Sequence, residues 1–291
     1  MQQPRVLSRS LAIMKPVTWF GPTWAFLCGA VASGVVLWSW SDLGRLLLGM
    51  LLAGPILCGF SQVINDYFDR DVDAINEPNR LIPAGLISPL QVAATALALL
   101  LGGLLLASYF GRDVMILVAI GVFLAVAYSV PPLRAKRNGW IGNALVAISY
   151  EGLAWMAGSL VFGPFSPANL LLAALYSFGT HGIMTINDFK SIDGDAAVGI
   201  RTIPVIHGPK QAAWFVVLTM TLAQVVVIAA FVFWGKPVTV AILAVLLLLQ
   251  LWPARKFLRQ PVEQHLMFSV QGSMLFVIGM MVAAVGLRSL L

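Results

Sequence analysis

Hydrophobic residues along this chain come in long unbroken runs, not in alternation with polar ones. Nine runs stand out, over 17–39, 43–64, 89–110, 114–130, 140–162, 167–187, 211–234, 237–252 and 265–288. Most approach the ~20 residues that a helix needs to cross hydrocarbon, the fourth and eighth being short. Continuous apolarity predicts helices and not the strands of a barrel, and a helix satisfies its own backbone hydrogen bonds in lipid. The pattern therefore predicts an all-α polytopic membrane bundle of nine transmembrane helices, one domain over 1–291. The polar intervals are unequal: two of them, 65–88 and 188–210, exceed the usual length of a connection, and loops of that size are commonly functional.

Composition supports the membrane class, since 10% of residues are charged and 59% hydrophobic, against about 25% charged in soluble domains. No basic, Ser-rich transit segment or cleavable signal precedes the first run, so the mature chain is expected to start near Met1. With the N-terminus cytoplasmic, all but Arg45, Arg112, Lys236 and Arg288 of the 18 Lys and Arg residues, from Arg5 onward, fall on the cytoplasmic side. That bias sets the orientation and puts the C-terminus in the periplasm. Arg134, Lys136 and Arg137 in "YSVPPLRAKRNGW" read as determinants of this topology, with contact to an anionic diphosphate as the alternative. The net charge of +6 is then explained by loops facing an anionic leaflet, with no nucleic-acid partner. Cys28 and Cys58 lie within apolar runs and read as small buried hydrophobes, not as a disulfide or a zinc site.

The acidic residues alter this picture. Of 12, eight fall in "INDYFDRDVDAINEPNRLIP" from Ile64 and "INDFKSIDGDAAVGIRTIP" from Ile186. A displacement of 122 residues lays Asn187, Asp188, Asp193 and Asp195 on Asn65, Asp66, Asp71 and Asp73, and a one-residue gap then aligns Arg201 with Arg80. Both copies follow an even-numbered run, four runs apart, which predicts two parallel repeats of about four helices. On a helix Asp66, Asp69, Asp73 and Glu77 lie within about 80° of one another while Asp71 points away. In the second copy Asp188 and Asp195 share a face and Asp193 leaves it unless Gly194 breaks the helix.

Such crowding of like charge at helix C-terminal ends is unfavourable without a cation. Oxygen donors without His or Cys suit magnesium, with manganese as the alternative, and magnesium characteristically binds through one or two carboxylates plus substrate phosphates. Two such clusters above an apolar bundle suggest a lipid diphosphate, with Arg80, Lys190 and Arg201 neutralising the remaining phosphate charge. A prenyl diphosphate fits. Metal would stabilise the leaving diphosphate, and Tyr67, Phe68, Tyr128 and Tyr150 offer aromatic faces to the allylic cation. Glu151, mid-span, is expected to line the chamber or to be a neutral packing group.

"NDYFDRDVDAINEPNRLIPAG" resembles the N-D-x-x-D-x-x-x-D signature of the UbiA-type intramembrane prenyltransferases, and the likeness spans essentially the whole chain. With "KPVTWFGPTWAFLCGAVASG" and "HGIMTINDFKSIDGDAAVGIRTIPV" it is similar to the chlorophyll and bacteriochlorophyll synthase branch, the latter more closely. The resemblance implies a first metal site of Asn65, Asp69 and Asp73 with Asp66 beside them, and a second of Asp188, Asp193 and Asp195. The family's second motif is often D-x-x-x-D. Here the spacing is five and then seven, which leaves open which acids ligate. The resemblance further implies catalytic roles for Asp69, Asp73, Asp188 and Asp195, and an acceptor or prenyl pocket with Tyr67, Tyr150, Glu151 and His181, the last either a ligand to a chlorin magnesium or a hydrogen-bonded interhelical residue. The implied reaction joins a geranylgeranyl or phytyl chain to the propionate of bacteriochlorophyllide and releases diphosphate. It would occur in a bacterial inner membrane with the site facing the cytoplasm, beside other pigment-biosynthesis or photosystem assembly proteins. Chlorophyllide, or a quinone or haem precursor, is the alternative acceptor. A transporter is the alternative class, but transporters concentrate polar groups near the midplane.

Overall fold

The computed structural model describes residues 6–35 and 38–290. Arg5, the end of the first run at residues 36 and 37, and the expected start near Met1 lie outside them. Twelve helices form among the described residues: α1 Val6–Ile13, α2 Phe20–Val31, α3 Trp40–Ile75, α4 Pro89–Phe110, α5 Arg112–Ser129, α6 Gly139–Phe162, α7 Pro167–Asn187, α8 Ile192–Ala197, α9 Ile203–His207, α10 Pro209–Phe233, α11 Pro237–Arg259 and α12 Pro261–Arg288. Their starts follow local chemistry. Ser39, Ser88, Ser166 and Asn138 accept first-turn N–H groups at α3, α4, α7 and α6, and Pro opens α4, α7, α10, α11 and α12, where its missing N–H costs nothing.

Seven helices, α3 to α6 and α10 to α12, are long and apolar enough to cross a membrane. The expected nine is not reached by that measure. α2 is only 12 residues long, and α7, at 21 residues, buries Asn169, Ser177, Thr180 and Thr185. The expected end of the second run at residue 64 also moves: α3 continues to Ile75, carrying the first acidic motif on three further turns of helix. The stretch 65–88 is thus half helix, and 188–210 contains α8 and α9.

Two of the spanning helices widen into π-helical segments, Leu52–Cys58 in α3 and Ile148–Leu153 in α6. Such segments recur at functional sites. α2 packs on the second half of α6 through Gly29 and Gly158: a Cβ on either would strike the backbone of the other helix, the small-residue contact that lets membrane helices approach. One large core runs through the bundle around Phe26, Trp155, Tyr176 and Phe276. A smaller one, of Ile13, Met14, Val63, Ile87 and Val92, seats α1 and the loop after α3. The connection after α5 pairs with the one after α8, Gly139 N–H donating to the Arg201 carbonyl (2.9 Å) and Arg201 N–H to that of Arg137 (3.0 Å).

Candidate active site

The residues that the two motifs bring together flank one end of a cavity of about 580 Å³. Asn65, at the start of the first motif, and Asn187, Asp188 and Lys190 of the second line its polar end, with Asn143 of α6. Tyr128 and Tyr150 stand in its wall, and its far end is apolar, with Phe26, Leu52, Leu117, Val118, Leu153 and Ala157. Both π segments contribute wall residues. They meet at the Tyr150 hydroxyl, which receives a hydrogen bond from Gln62 Nε2 (3.0 Å) and contacts Ser61 Oγ (3.1 Å) and Cys58 Sγ (3.2 Å).

Beyond Asn65 the acids continue up α3, each held by a basic residue. Lys15 donates to Asp66 (2.5 Å), Arg80 bridges Asp73 (2.9 Å) and Glu77 (3.0 Å) and reaches Asp66 (3.8 Å), and Arg134 and Lys136 converge on Asp69 at 3.1 and 2.6 Å. Lys136 also donates to Asn65 Oδ1 (3.0 Å). Asp66 and Asp73 are buried; Asp71, off the face, is exposed. Burial lowers the Lys136 ammonium below its ordinary range, against the pull of Asp69. Arg134 adopts a left-handed backbone (φ 36°), a conformation that a non-glycine residue holds only where its surroundings insist.

The second motif has fewer neutralising partners. Asp188 accepts from Asn143 Nδ2 (3.1 Å), which also donates to Thr185 (3.2 Å). Burial pushes the Asp188 carboxyl up to about 7, against the lowering effect of Asn143, and Asp195 adds to the rise. Asp195 is likewise raised by burial while accepting from Ser191 Oγ (2.7 Å). Asp193 and Arg201 are exposed; the backbone pairing of Arg201 with the loop after α5 explains where its side chain ends up.

Tyr150 lines the cavity, and Tyr67, Glu151 and His181 do not. Tyr67 packs into the smaller core under Arg70, 4.8 Å from its ring centre. Glu151 is buried behind the wall, accepting from Thr180 Oγ1 (3.3 Å). His181 stacks on Trp140 and its Nε2 contacts that residue's carbonyl at 3.1 Å. A helix apolar all round hides which side faces the chamber, so Glu151 and His181 are not separable from Tyr150 by sequence, while Tyr67 lies on the acidic stretch of α3 next to Asp66. Lys15 reads from sequence as a topology charge, Arg134 and Lys136 as topology charges with diphosphate contact as the alternative, and Asn143 carries no signal that sets it apart.

Among the described residues no three acids, histidines or cysteines converge closely enough to hold a metal by themselves. The donors present still fit magnesium. They are oxygen only, and Asp188 is an inward carboxylate with a single neutral hydrogen-bond partner. One or two carboxylates completed by phosphate oxygens is this ion's habit.

The family model for UbiA prenyltransferases matches residues 22–275. The chain is 56% identical to the bacteriochlorophyll synthase 34 kDa chain of Chloroflexus aurantiacus, over 97% of this chain and 91% of that one. It is 44% identical to the bacteriochlorophyll synthase 33 kDa chain of Cereibacter sphaeroides, over 99% and 94%. A solved UbiA homolog from Archaeoglobus fulgidus, bound to GPP and Mg2+, superposes with a TM-score of 0.72 at 19% identity, covering 94% of this chain and 99% of that one. An all-α bundle with a polar-mouthed cavity, matched along nearly its whole length, thus belongs to the UbiA prenyltransferase family of multi-pass membrane enzymes.

Proposed function

We infer that this chain transfers a geranylgeranyl or phytyl group from its diphosphate to the propionate carboxylate of bacteriochlorophyllide. The observation that carries the reading is one cavity in which Asn65 of the first motif and Asp188 and Lys190 of the second flank a polar end, while the rest is apolar. The diphosphate belongs at that end and the hydrocarbon chain among Phe26, Leu52 and Ala157.

Magnesium, bound with the diphosphate, would offset the charge that grows on the leaving group. Asn65, Asp66, Asp69 and Asp73, with Asp188 and Asp195 of the second motif, would supply its oxygen donors. Lys15, Arg80, Arg134 and Lys136, the present partners of these carboxylates, would be the cations available to phosphate oxygens, with Lys190 already at the cavity wall. The allylic C–O bond breaks, its electron pair leaves with the diphosphate, and the ring faces of Tyr128 and Tyr150 border the cationic chain end. The propionate oxygen then bonds to that carbon. A carboxylate is ionised at neutral pH, so no residue need remove a proton. We further propose nine crossings, α2 and α7 completing the seven, as parallel repeats with the motifs cytoplasmic, as the distribution of Lys and Arg requires.

The test is esterification: membranes containing the protein are given bacteriochlorophyllide and geranylgeranyl diphosphate, with and without a chelator. Metal-dependent esterified pigment is expected. Product from a benzoate or naphthoate acceptor, with none from the pigment, would overturn the reading.

A further inference from the structure

A second cavity, of about 620 Å³, lies beside the first where α5 ends and α6 begins. Phe123, Ala127, Pro131, Pro132 and Ile141 form its apolar wall, and Leu124 and Leu145 line both cavities, so two leucine side chains form the partition. Phe123, Leu133 and Ile141 are 61%, 63% and 52% exposed, which leaves the outer rim open to lipid. Each cavity falls in the roughly 300–1,000 Å³ range of a single small-molecule site. A two-substrate reaction needs two such volumes meeting near the diphosphate.

The charges here point to an anionic occupant. Arg134 and Arg137 both line the second cavity. The Arg134 guanidinium reaches Asp69 and the Phe68 carbonyl, each at 3.1 Å, so it ties the cavity to the first motif, while its Nε is buried without a hydrogen-bond partner. Arg137 is exposed and, unlike Arg134 and Lys136, is paired with no acid among the described residues. Its position is fixed by the backbone pairing with Arg201.

We propose that this second cavity is the acceptor port, taking a flat apolar macrocycle from the bilayer with Arg137 holding its carboxylate beside the Leu124–Leu145 partition. This rests on the reaction proposed above. The apolar walls suit the ring, and the unpaired guanidinium suits the propionate. The partition is the short way from that carboxylate to the polar end of the first cavity. A phospholipid chain would fit the walls, but it would not call for an arginine linked through its neighbour to the motif.

Two variants test the port, Ile141→Trp, which fills the second cavity without touching the first, and Arg137→Gln. The purified protein in nanodiscs is titrated with bacteriochlorophyllide, followed by the pigment's own fluorescence, and separately with geranylgeranyl diphosphate and magnesium. The pigment Kd should rise about tenfold or more in each variant, with the prenyl diphosphate Kd within about twofold of the parent. Unchanged pigment affinity in both variants overturns the port, as does an equal loss for both ligands. Displacement of pigment by anionic phospholipid, with no effect of either variant on pigment, assigns the cavity to lipid instead. Pigment binding that responds to the variants in a protein that makes no ester would sustain the port and sink the reaction; esterification and pigment binding indifferent to both variants would do the reverse.

Discussion

At the scale of single residues, the acids of the first motif divide by the face they occupy. Asp69 meets Arg134 and Lys136, and Asp73 meets Arg80, on the turns of α3 that follow the cavity-lining Asn65, while Asp71 projects outward. Asp69→Asn and Asp73→Asn should each lower kcat/KM about 100-fold or more, the scale of losing stabilisation where charge develops, with normal insertion and melting. Asp71→Asn should stay within about twofold. Near-parental turnover in Asp69→Asn would remove that residue from the metal set. Asp188 gives a pH dependence of known sign. Burial raises its carboxyl to about 7, so below that pH a proton occupies the oxygens that metal needs, and magnesium affinity should fall by up to about tenfold per unit from pH 7 to 6 while levelling above pH 8. Magnesium titration against a non-reactive prenyl diphosphate analogue reads this directly, and a flat profile would take Asp188 out of the site. The i, i+3, i+7 spacing made the acidic face legible in advance because helical geometry is local. The partners were not legible: Lys15 and Asp66 are 51 positions apart, and Arg134 and Asp69 65, and only the packing of separate helices decides such meetings.

At the scale of elements, the apolar runs announced the helices, and their errors have physical causes. α3 overruns its expected end because four cations quench the repulsion that would fray a bare acidic turn. The π segments left no sequence signal beyond Pro55 in the first, yet they shape the chamber wall. The α2–α6 contact is the most demanding piece of packing. A methyl at Gly158 would fall within the van der Waals shell of the Phe26 carbonyl oxygen, and Phe26 and Ala157 line the apolar end of the cavity, where the prenyl chain is proposed to lie. Gly158→Ala should therefore cost about 1–3 kcal/mol, seen as a lower melting temperature, and raise KM for the prenyl diphosphate more than for the pigment. An unchanged melting temperature would mean that the helices separate without penalty.

At the scale of the whole molecule, the first motif is neutralised by residues from three parts of the chain: Lys15 before α2, Arg80 after α3, and Arg134 and Lys136 after α5. Protein charge alone therefore balances these acids, so a metal bound here would serve the proposed chemistry and not the integrity of the fold. Chelation should abolish transfer while moving the melting temperature by less than about 4 °C, the equivalent of about 1 kcal/mol for a chain of this size; a larger fall would make the ion structural. Activity should return on adding magnesium back, without refolding. For the cell, a spell of magnesium scarcity would then idle this enzyme and spare it from degradation, so that pigment synthesis resumes from standing stock as soon as the ion returns, ahead of any new translation.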